Sequence, residues 1–361
     1  MKLNSKILML LVAVGLTVTG CQSELLTDVR EQAANGHSAA IDFGNSFIDN
    51  PVNTRGVTRL AQHATSMGVW GWQSVDSCEY SLFNNERVYY VDSIDNWTYL
   101  DKRYWDSYST YRFYAYSPYH TSVDGASVAI NDSTGMFTIN GVTLSGSNAV
   151  ADGGARSQLG SFINADDTDW MIDRAGKTGI NGSYGSRVMF NMQHILAKFN
   201  VLARSAGTVS TDENTIVTID SIIIGTFKGQ AGFVQRLDHT PNPDNALDNA
   251  VQEWTIDSLS SSYSLHSAGN VEIDAQGMYV IESLIIPQVT TPEQYIKVCF
   301  TMSSTGGRHE RFVNMFAFDA LFDRFVSGCN YTLILTISPD AIRFDTGCEQ
   351  WIARVIDNNI Y

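Results

Sequence analysis

Hydrophobic and polar residues alternate in the C-terminal part of the chain. The odd positions are Tyr331, Leu333, Leu335 and Ile337, and the even positions are Thr332, Ile334, Thr336 and Ser338. Successive side chains of a β-strand point to opposite faces, so this period of two predicts a strand with one buried face. Proline cannot donate a hydrogen bond to a strand ladder, so Pro339 ends the strand. Ile342 and Phe344 then begin a second short strand.

Apolar residues elsewhere recur with a period of two or in short runs between turn signals, and no long stretch has the period of a helix. We therefore predict an all-β protein built from β-sandwiches. Asn140-Gly141 separates two apolar stretches, 136–139 and 142–144, and predicts a β-hairpin with a type I′ turn. The apolar run 216–224 predicts a strand buried on both faces. The glycine-rich segment 225–233 predicts a turn after it.

The N-terminus carries an export signal. A short basic segment, residues 1–6, precedes an apolar stretch at residues 7–18 that is too short to span a membrane. Val18-Thr19-Gly20 stands directly before Cys21, and this arrangement resembles a bacterial lipobox, in which the cysteine thiol receives a diacylglycerol. We expect residues 1–20 to be a lipoprotein signal peptide and Cys21 to be the lipidated residue. The alternative is an ordinary secretory signal that contains a cysteine.

Length, charge and cysteine content narrow the class of protein. The chain has 361 residues, of which 44% are hydrophobic, and this length suits about two domains of ~100–200 residues each. It carries 23 basic and 38 acidic residues, a net charge of −15, which argues against nucleic acid or an anionic membrane surface as a partner. Beyond Cys21, the cysteines are Cys78, Cys299, Cys329 and Cys348. Strand parity turns Cys299 away from its apolar neighbours and Cys329 toward its own, so we expect free, mostly buried cysteines.

Several motifs resemble those of one protein family. The C-terminal motif residues are Gly328, Tyr331, Ile337, Ile342, Phe344 and Trp351. Further matches are the aromatic segment 111–119, the segment 188–199 and the Ile-Pro-Gln sequence at 286–288. Together they resemble the Bacteroidetes fimbrillin family, the Mfa-like and FimA-like subunits of type V pili, over residues 40–361.

The resemblance implies two transthyretin-like β-sandwich domains, which we place at residues 60–186 and 187–361. Residues 21–59 would form a tether and a removable first strand that contains Ile41 and Phe43. The polar loop after this strand contains Arg55 and Arg59, and the resemblance implies that a protease cuts after one of them. Without the resemblance, this segment reads as an ordinary loop with two solvated arginines.

The C-terminal tail, residues 352–361, is a candidate donor strand. Removal of the first strand would leave a groove with unpaired backbone groups, which invites a strand of another chain. In the tail, Ile352, Ile356 and Ile360 share one parity and could enter the same pockets as Ile41 and Phe43, although Arg354 and Asn358 interrupt that face. The alternatives are the opposite face of the tail and a tail that completes its own domain.

Residues that could take part in catalysis or binding do not form a catalytic pattern. His194 has no nucleophile or acid at a matching spacing, so a hydrogen-bonded structural histidine is favoured. The acidic segment 166–169 lacks the spacing of a calcium loop, which favours a solvated loop. The dense aromatic residues between Trp70 and Tyr119 are either sandwich core or a platform for sugar or peptide, and core is favoured. We expect no enzyme activity, no cofactor and no metal.

Together with the export signal, the resemblance implies a structural subunit of a surface fimbria that contributes to adhesion. It would be exported as a lipoprotein, processed after an arginine and assembled by donor-strand exchange. The expected partners are other fimbrial subunits and the outer membrane, which the lipid anchor enters, and a host or bacterial surface receptor is left open. The expected location is the surface of the outer membrane. The alternative is a surface lipoprotein that binds glycan or a host protein without polymerising.

Overall fold

The structure of the protein is a computed structural model. It describes residues 40–44, 47–48, 58–59, 65–106, 109–120, 126–131, 136–145, 171–173, 177–181, 187–206, 215–236, 252–259, 261–304, 309–338 and 341–350. Strands dominate these ranges, and their one helical element is a 3₁₀ turn, Asp92–Ile94. The predicted all-β fold is confirmed. No helix in the described ranges has the length and apolar character needed to cross a membrane.

The first half of the chain builds an 11-stranded sheet, which we call the N-terminal sheet. Its strands are β1 Asp42–Phe43, β2 Phe47–Ile48, β3 Thr58–Arg59, β4 Ser66–Val75, β5 Cys78–Val91, β6 Asn96–Thr98, β7 Thr110–Ser117, β10 Met171–Asp173, β11 Lys177–Asn181, β12 Arg187–Val188 and β13 Asn191–His194. Their order in space is β12-β1-β6-β5-β4-β7-β10-β13-β2-β3, and β11 pairs with β7. The sheet is mostly antiparallel, but β1 runs parallel to β12 and β2 runs parallel to β13.

The described residues form three further sheets. The bridging sheet contains β8 Ser127–Asn131, β9 Met136–Thr143, β16 Gln230–Arg236 and β17 Gln252–Ile256, in the order β17-β16-β9-β8. The C-terminal sheet contains β14 Ala197–Ser205, β20 Met278–Ile285, β23 Cys329–Ile337 and β24 Ile342–Gln350, in the order β20-β14-β23-β24. The five-stranded sheet contains β15 Thr215–Lys228, β18 Ser262–His266, β19 Val271–Ile273, β21 Tyr295–Ser304 and β22 His309–Ala317, in the order β18-β15-β21-β22 with β19 paired to β15.

Three hydrophobic cores hold these sheets together. The C-terminal and five-stranded sheets share one core, in which Leu333 and Phe300 are buried, as expected for a β-sandwich. A second core lies within the N-terminal sheet around Phe43. A third lies between the N-terminal sheet and the bridging sheet, where Trp70 and Phe233 are buried. Residues of β4 and β7 enter both the second and the third core, so these two strands are buried on both faces.

The strand predicted at residues 331–337 is confirmed, and the prediction for residues 216–224 is wrong in one respect. The latter lie in β15, where buried and half-buried residues alternate and Ile216 is 44% exposed. Only one face of β15 therefore reaches the core, as is usual in an antiparallel sheet. The turn predicted at 225–233 is also wrong, because β15 continues to Lys228 and β16 begins at Gln230. Gly229 alone separates the two strands.

The predicted hairpin at Asn140-Gly141 is wrong, because both residues lie inside the single strand β9. Ile139 stands opposite Phe233 and Val142 opposite Ala231, so two residues of β9 face the single residue Gly232. This arrangement is a β-bulge, and Gly141, with φ of +81°, supplies the positive φ that such a bulge needs. A two-residue turn of the predicted kind occurs instead at Asp76-Ser77, which joins β4 to β5 with φ of 45° and 69°.

The bridging sheet combines strands from both halves of the sequence. Its hairpin β8–β9 lies before residue 187, whereas β16 and β17 lie after it. At Gly229 the chain passes from the five-stranded sheet into the bridging sheet, and a Cβ there would lie 2.6 Å from the carbonyl oxygen of Leu144. The Gln288 side chain accepts a hydrogen bond from the Lys228 amide (3.0 Å) and donates one to the Lys228 carbonyl (3.2 Å). A side-chain amide thus replaces a strand partner where the chain changes sheets; the domain limit at residue 187 stays a prediction.

Close packing around Gly68 gives a testable prediction. A Cβ at this position would lie 2.1 Å from Cε1 of Tyr116, whose hydroxyl donates to Asn85 and to the carbonyl of His120 at 3.0 Å each. Because the ring is buried and fixed at its far end, Gly68→Ala should destabilise the protein by about 1–3 kcal/mol. Urea unfolding midpoints measure this effect. The matched control is Gly347→Ala, whose Cβ would meet nothing within 4 Å and should change stability by less than about 1 kcal/mol. Equal losses in both variants would contradict the packing explanation.

Candidate functional site

The candidate site is the slot that β1 occupies in the N-terminal sheet. The strand has only two residues, and it fills the gap between β6 and β12. Phe43 stands opposite Trp97 of β6 in antiparallel pairing and opposite Val188 of β12 in parallel pairing. Ile41 and Phe43 are both completely buried. Without β1, the edges of β6 and β12 would lose their shared partner, and the core beneath would open.

The pocket that holds Phe43 is aromatic on several sides. Its ring centroid lies 5.6 Å from those of Phe83 and Tyr99, 6.0 Å from that of Phe190 and 6.2 Å from that of Phe113. Three of these contacts are edge-to-face and the one with Phe190 is stacked, which are the favoured geometries for aromatic pairs. The pocket therefore selects a large flat side chain at this position of the strand.

Hydrogen bonds fix the register of the strand on both sides. The amide of Ile41 donates to the carbonyl of Arg103 (2.8 Å), and the amide of Gly44 donates to the carbonyl of Val188 (2.8 Å). The hydroxyl of Tyr99 donates to the carbonyl of Ile41 (2.7 Å). Between the two buried side chains, Asp42 points outward, and its carboxylate lies 3.5 Å from the ammonium of Lys102. Most of these contacts are hydrogen bonds to the backbone of the strand. Any strand that places apolar side chains in the two pockets could therefore form them.

Tyr99 donates a hydrogen bond to the backbone at Ile41, directly before β1. Burial raises the pKa of Tyr99 to about 12, above its ordinary value of 10.0, against the opposing influence of the hydrogen bond with the Arg103 backbone. A raised pKa in the folded state means that this tyrosine contributes stability below about pH 10, where both states are protonated, and that the contribution is lost as the pH rises toward about 12.

Tyr99→Phe should therefore lower the free energy of unfolding by about 1–3 kcal/mol at neutral pH, because the buried carbonyl of Ile41 loses its partner. The difference between wild type and variant should shrink as the pH rises from about 10 to about 12. Denaturant titrations across this pH range, at fixed ionic strength, measure both effects. A difference that stays constant over the whole range would show that the hydroxyl of Tyr99 does not carry the effect.

Most of the sequence-predicted site residues lie outside the described ranges. These are Cys21, Arg55, Ile352, Ile356 and Ile360, as well as the acidic segment 166–169. Arg59 lies in β3, opposite Phe47 of β2, so the prediction that this arginine lies in a loop is wrong. Ile41 and Phe43 lie where the sequence placed a first strand. Sequence reasoning missed Trp97, Tyr99 and Val188 as residues that hold this strand, because their pairing with it joins distant parts of the chain.

The structure decides between two interpretations of the aromatic residues. Trp70, Trp72, Tyr111, Phe113, Tyr114 and Tyr116 are buried in the second and third cores. They therefore form core, as favoured, and they do not present a platform for sugar or peptide. The guanidinium of Arg112 lies 4.2 Å from the ring centroid of Trp72 and pairs with Glu79 at 2.8 Å. This cation covers the aromatic core at its edge.

His194 is buried, as a structural histidine would be, whereas the cysteine prediction holds only in part. His194 is buried, with 1% exposure, in β13 beside the second and third cores. Within the described ranges, no group of three or more histidine, cysteine or acidic residues could hold a metal ion. The four cysteines there are free, but the prediction that they are mostly buried is wrong for Cys78 and Cys348, which are exposed. Cys78 follows the tight turn at Asp76-Ser77, and Cys348 lies in an edge strand.

Comparison with known proteins gives a consistent picture. The fimbrillin-like family profile matches residues 54–351. A fimbrial protein from Bacteroides vulgatus shares the fold with a TM-score of 0.56 at 14% identity, covering 86% of this chain and 99% of that one. The tip fimbrial protein Mfa3 from Porphyromonas gingivalis matches 87% of this chain and 100% of its own at 8% identity, with a TM-score of 0.37. No curated protein sequence matches the chain.

Proposed function

Because the chain belongs to the fimbrillin-like family, we propose that it is a fimbrial subunit that assembles by exchange of its first strand for a strand of another subunit. The observation that carries this proposal is β1 itself. It is a strand of two residues inserted between β6 and β12, and the side chains of Phe43 in the strand and of Ile41 just before it are fully buried. A segment that pairs over only a few residues but buries two apolar side chains is suited to replacement by another strand with the same pattern.

The energetics of β1 agree with this role. Full burial of Ile41 and Phe43 contributes roughly 1.5–3 kcal/mol for each side chain, and the few backbone hydrogen bonds add about 1 kcal/mol each. The strand is thus held by several kcal/mol while it remains part of the same chain. After a cut between β1 and β4, the segment becomes a separate peptide and pays the entropy of association when it binds. A cut at Arg55 or Arg59 therefore turns a stable strand into a displaceable one.

The C-terminal tail is the proposed donor. Residues 352–361 could span ~33 Å if extended at about 3.3 Å per residue, which is more than the length of β1. Ile352, Ile356 and Ile360 supply the apolar parity. Arg354 and Asn358 alternate with the three isoleucines on this face, so an isoleucine in the Ile41 pocket would bring one of these polar residues to the Phe43 pocket. The Phe43 pocket is therefore best filled by another register of the tail or by the tail of a different subunit. The partners are therefore other fimbrial subunits, either copies of this chain or related chains.

Anchoring completes the proposal. Cys21 follows an apolar stretch and small residues directly, so we propose that it is lipidated and attaches the precursor to the outer membrane, since several acyl chains give stable anchoring where one does not. Processing after Arg55 or Arg59 would then separate the assembled subunit from its anchor. The subunit would contribute to adhesion at the cell surface.

The test combines the mature N-terminus with deletion of the tail. Protein cut after Arg55 or Arg59 should form ladders that resist mild detergent, whereas the same cut protein without Ile352–Tyr361 should fold but stay monomeric. Mass spectrometry of protein from cells should find chains that begin at Gly56 or Leu60. Ladders that survive the deletion would exclude the tail as donor. Cell-derived chains that all begin at Cys21 would contradict processing and favour a lipoprotein that binds without polymerising.

A further inference from the structure

Two cysteines meet at the end of the last strand pair. In the pairing of β23 with β24, Cys329 stands opposite Gln350 and Tyr331 stands opposite Cys348. Cys329 and Cys348 therefore lie on the same face of the sheet as diagonal neighbours. The side chains of Cys329, Cys348 and Tyr331 are neighbours at this end of the strand pair.

We propose that Cys329 and Cys348 form a cross-strand disulfide in the exported protein. The pair is accessible to an oxidant, since Cys348 is exposed and Cys329 is half-buried against the core. A disulfide needs Cα atoms within about 7 Å. Diagonal neighbours in an antiparallel pair lie about 7–8 Å apart, so formation of the bond would draw the end of β24 toward β23.

The other cysteines do not compete for this bond. Cys299 lies in the five-stranded sheet, where its neighbours Val298 and Phe300 enter the core and Cys299 does not. Cys78 lies in the N-terminal sheet, at the start of β5. The register of β23 and β24 thus selects one pairing among the four cysteines of the described ranges.

The chemistry is thiol–disulfide exchange with an oxidised dithiol protein of the Cys-x-x-Cys class, acting after export. The exposed thiolate of Cys348 attacks the oxidant's disulfide and forms a mixed disulfide. The thiolate of Cys329 then attacks the Cys348 sulfur and releases the oxidant as a dithiol. The two thiols lose two protons and two electrons, and the electrons reduce the oxidant. Burial and the neighbouring Cys348 raise the pKa of the Cys329 thiol to about 11, so the second step is the slower one.

The position of the bond gives it a mechanical consequence, which rests on the proposed function. β24 is the edge strand of the C-terminal sheet, and the tail follows it directly. A neighbouring subunit that holds the tail would pull on β24 from its C-terminal end and open the pairing from Gln350 inward. A bond between Cys329 and Cys348 joins the strands at that end, so the pull cannot peel β24 away from β23 one pair at a time.

The test uses protein recovered from cells with its thiols blocked at the moment of lysis. Trypsin cuts after Arg324, Arg343 and Arg354, so the two cysteines fall in separate peptides, residues 325–343 and 344–354. Without reductant these peptides should appear as one linked species, about 2 Da lighter than their sum, and reductant should separate them. Recovery of both peptides with blocked cysteines and no linked species would overturn the proposal, as would a link from either cysteine to Cys78 or Cys299.

Two variants and one reaction separate this result from the fate of the fimbrial proposal. Cys299→Ser should keep the linked species, and Cys348→Ser should lose it and melt about 5 °C lower. Purified reduced protein mixed with an oxidised Cys-x-x-Cys protein should form the same link whether or not the chain assembles. Failure of this reaction would overturn the disulfide alone, and failure to form ladders would overturn strand exchange alone.

Discussion

Phe43→Ala should lower the free energy of unfolding by about 3–5 kcal/mol, the range for loss of a buried phenylalanine. Phe43 is completely buried and lies within 6.2 Å, centroid to centroid, of four aromatic rings. Alanine would leave a cavity between these rings. Guanidinium titration followed by tryptophan fluorescence measures the loss, because Trp97 pairs with Phe43 across the sheet.

The matched control is the neighbouring residue on the outer face. Asp42→Ala removes an exposed ion pair with Lys102, which is worth less than about 1 kcal/mol. If Phe43→Ala proves no more harmful than Asp42→Ala, then β1 does not close the core. Addition of a peptide with the sequence of residues 38–50, which contains β1 and β2, to protein that lacks residues 22–55 should restore stability, and the same peptide with Phe43→Ala should not.

Lys198→Met should lower the free energy of unfolding by about 3–5 kcal/mol, because it leaves the carboxylate of Glu282 buried without its partner. The ammonium of Lys198 lies 3.4 Å from this carboxylate, and the two side chains are only 5% and 6% exposed. They lie on the face of the C-terminal sheet opposite the sandwich core, since Phe199 enters that core and Lys198 does not. The double variant Lys198→Met with Glu282→Leu should recover most of the loss, because the remaining buried charge is gone as well.

The chain offers a surface pair for comparison. Lys102 and Asp42 have nearly the same separation, 3.5 Å, but their side chains are 37% and 41% exposed. Lys102→Met should cost less than about 1 kcal/mol. Thermal and denaturant unfolding of the wild type, Lys198→Met, Glu282→Leu and the double variant forms a double-mutant cycle for the buried pair. A cost of Lys198→Met as small as that of Lys102→Met would show that water reaches Glu282 and screens it.

The sequence predicted what depends on local pattern. The alternation at Tyr331 to Ile337 corresponds to β23, in which the four odd positions are buried. The Asn-Gly signal failed, because positive φ suits a bulge as well as a turn, and only the partner strand β16 decides between them. Tertiary pairing also explains the other misses. An apolar run such as 216–224 does not reveal how many of its faces are covered.

In the candidate site, too, the strand could be predicted from local pattern and the residues around it could not. Ile41 and Phe43 could be singled out through the family resemblance and the short apolar pattern around them. The residues that hold them lie about 40 or more positions away, as with Phe83 in the Phe43 pocket and Tyr99, whose hydroxyl reaches the carbonyl of Ile41. Contacts over such separations follow from sheet order, which no local signal encodes. The thiol pair of Cys329 and Cys348 was missed for a related reason, since it depends on the register of two strands rather than on parity within one.

The bridging sheet has a consequence for the order of folding. Its hairpin β8–β9 ends at Thr143, but the partner strand β16 begins only at Gln230. Loop-closure entropy makes such distant pairings slow to form. A chain that emerges from a membrane with its N-terminus first would therefore hold Trp70 and Phe137 uncovered until the second half arrives. During this interval, partners that bind exposed strands could bind the chain. The first half of the subunit can finish folding only after the second half has been exported.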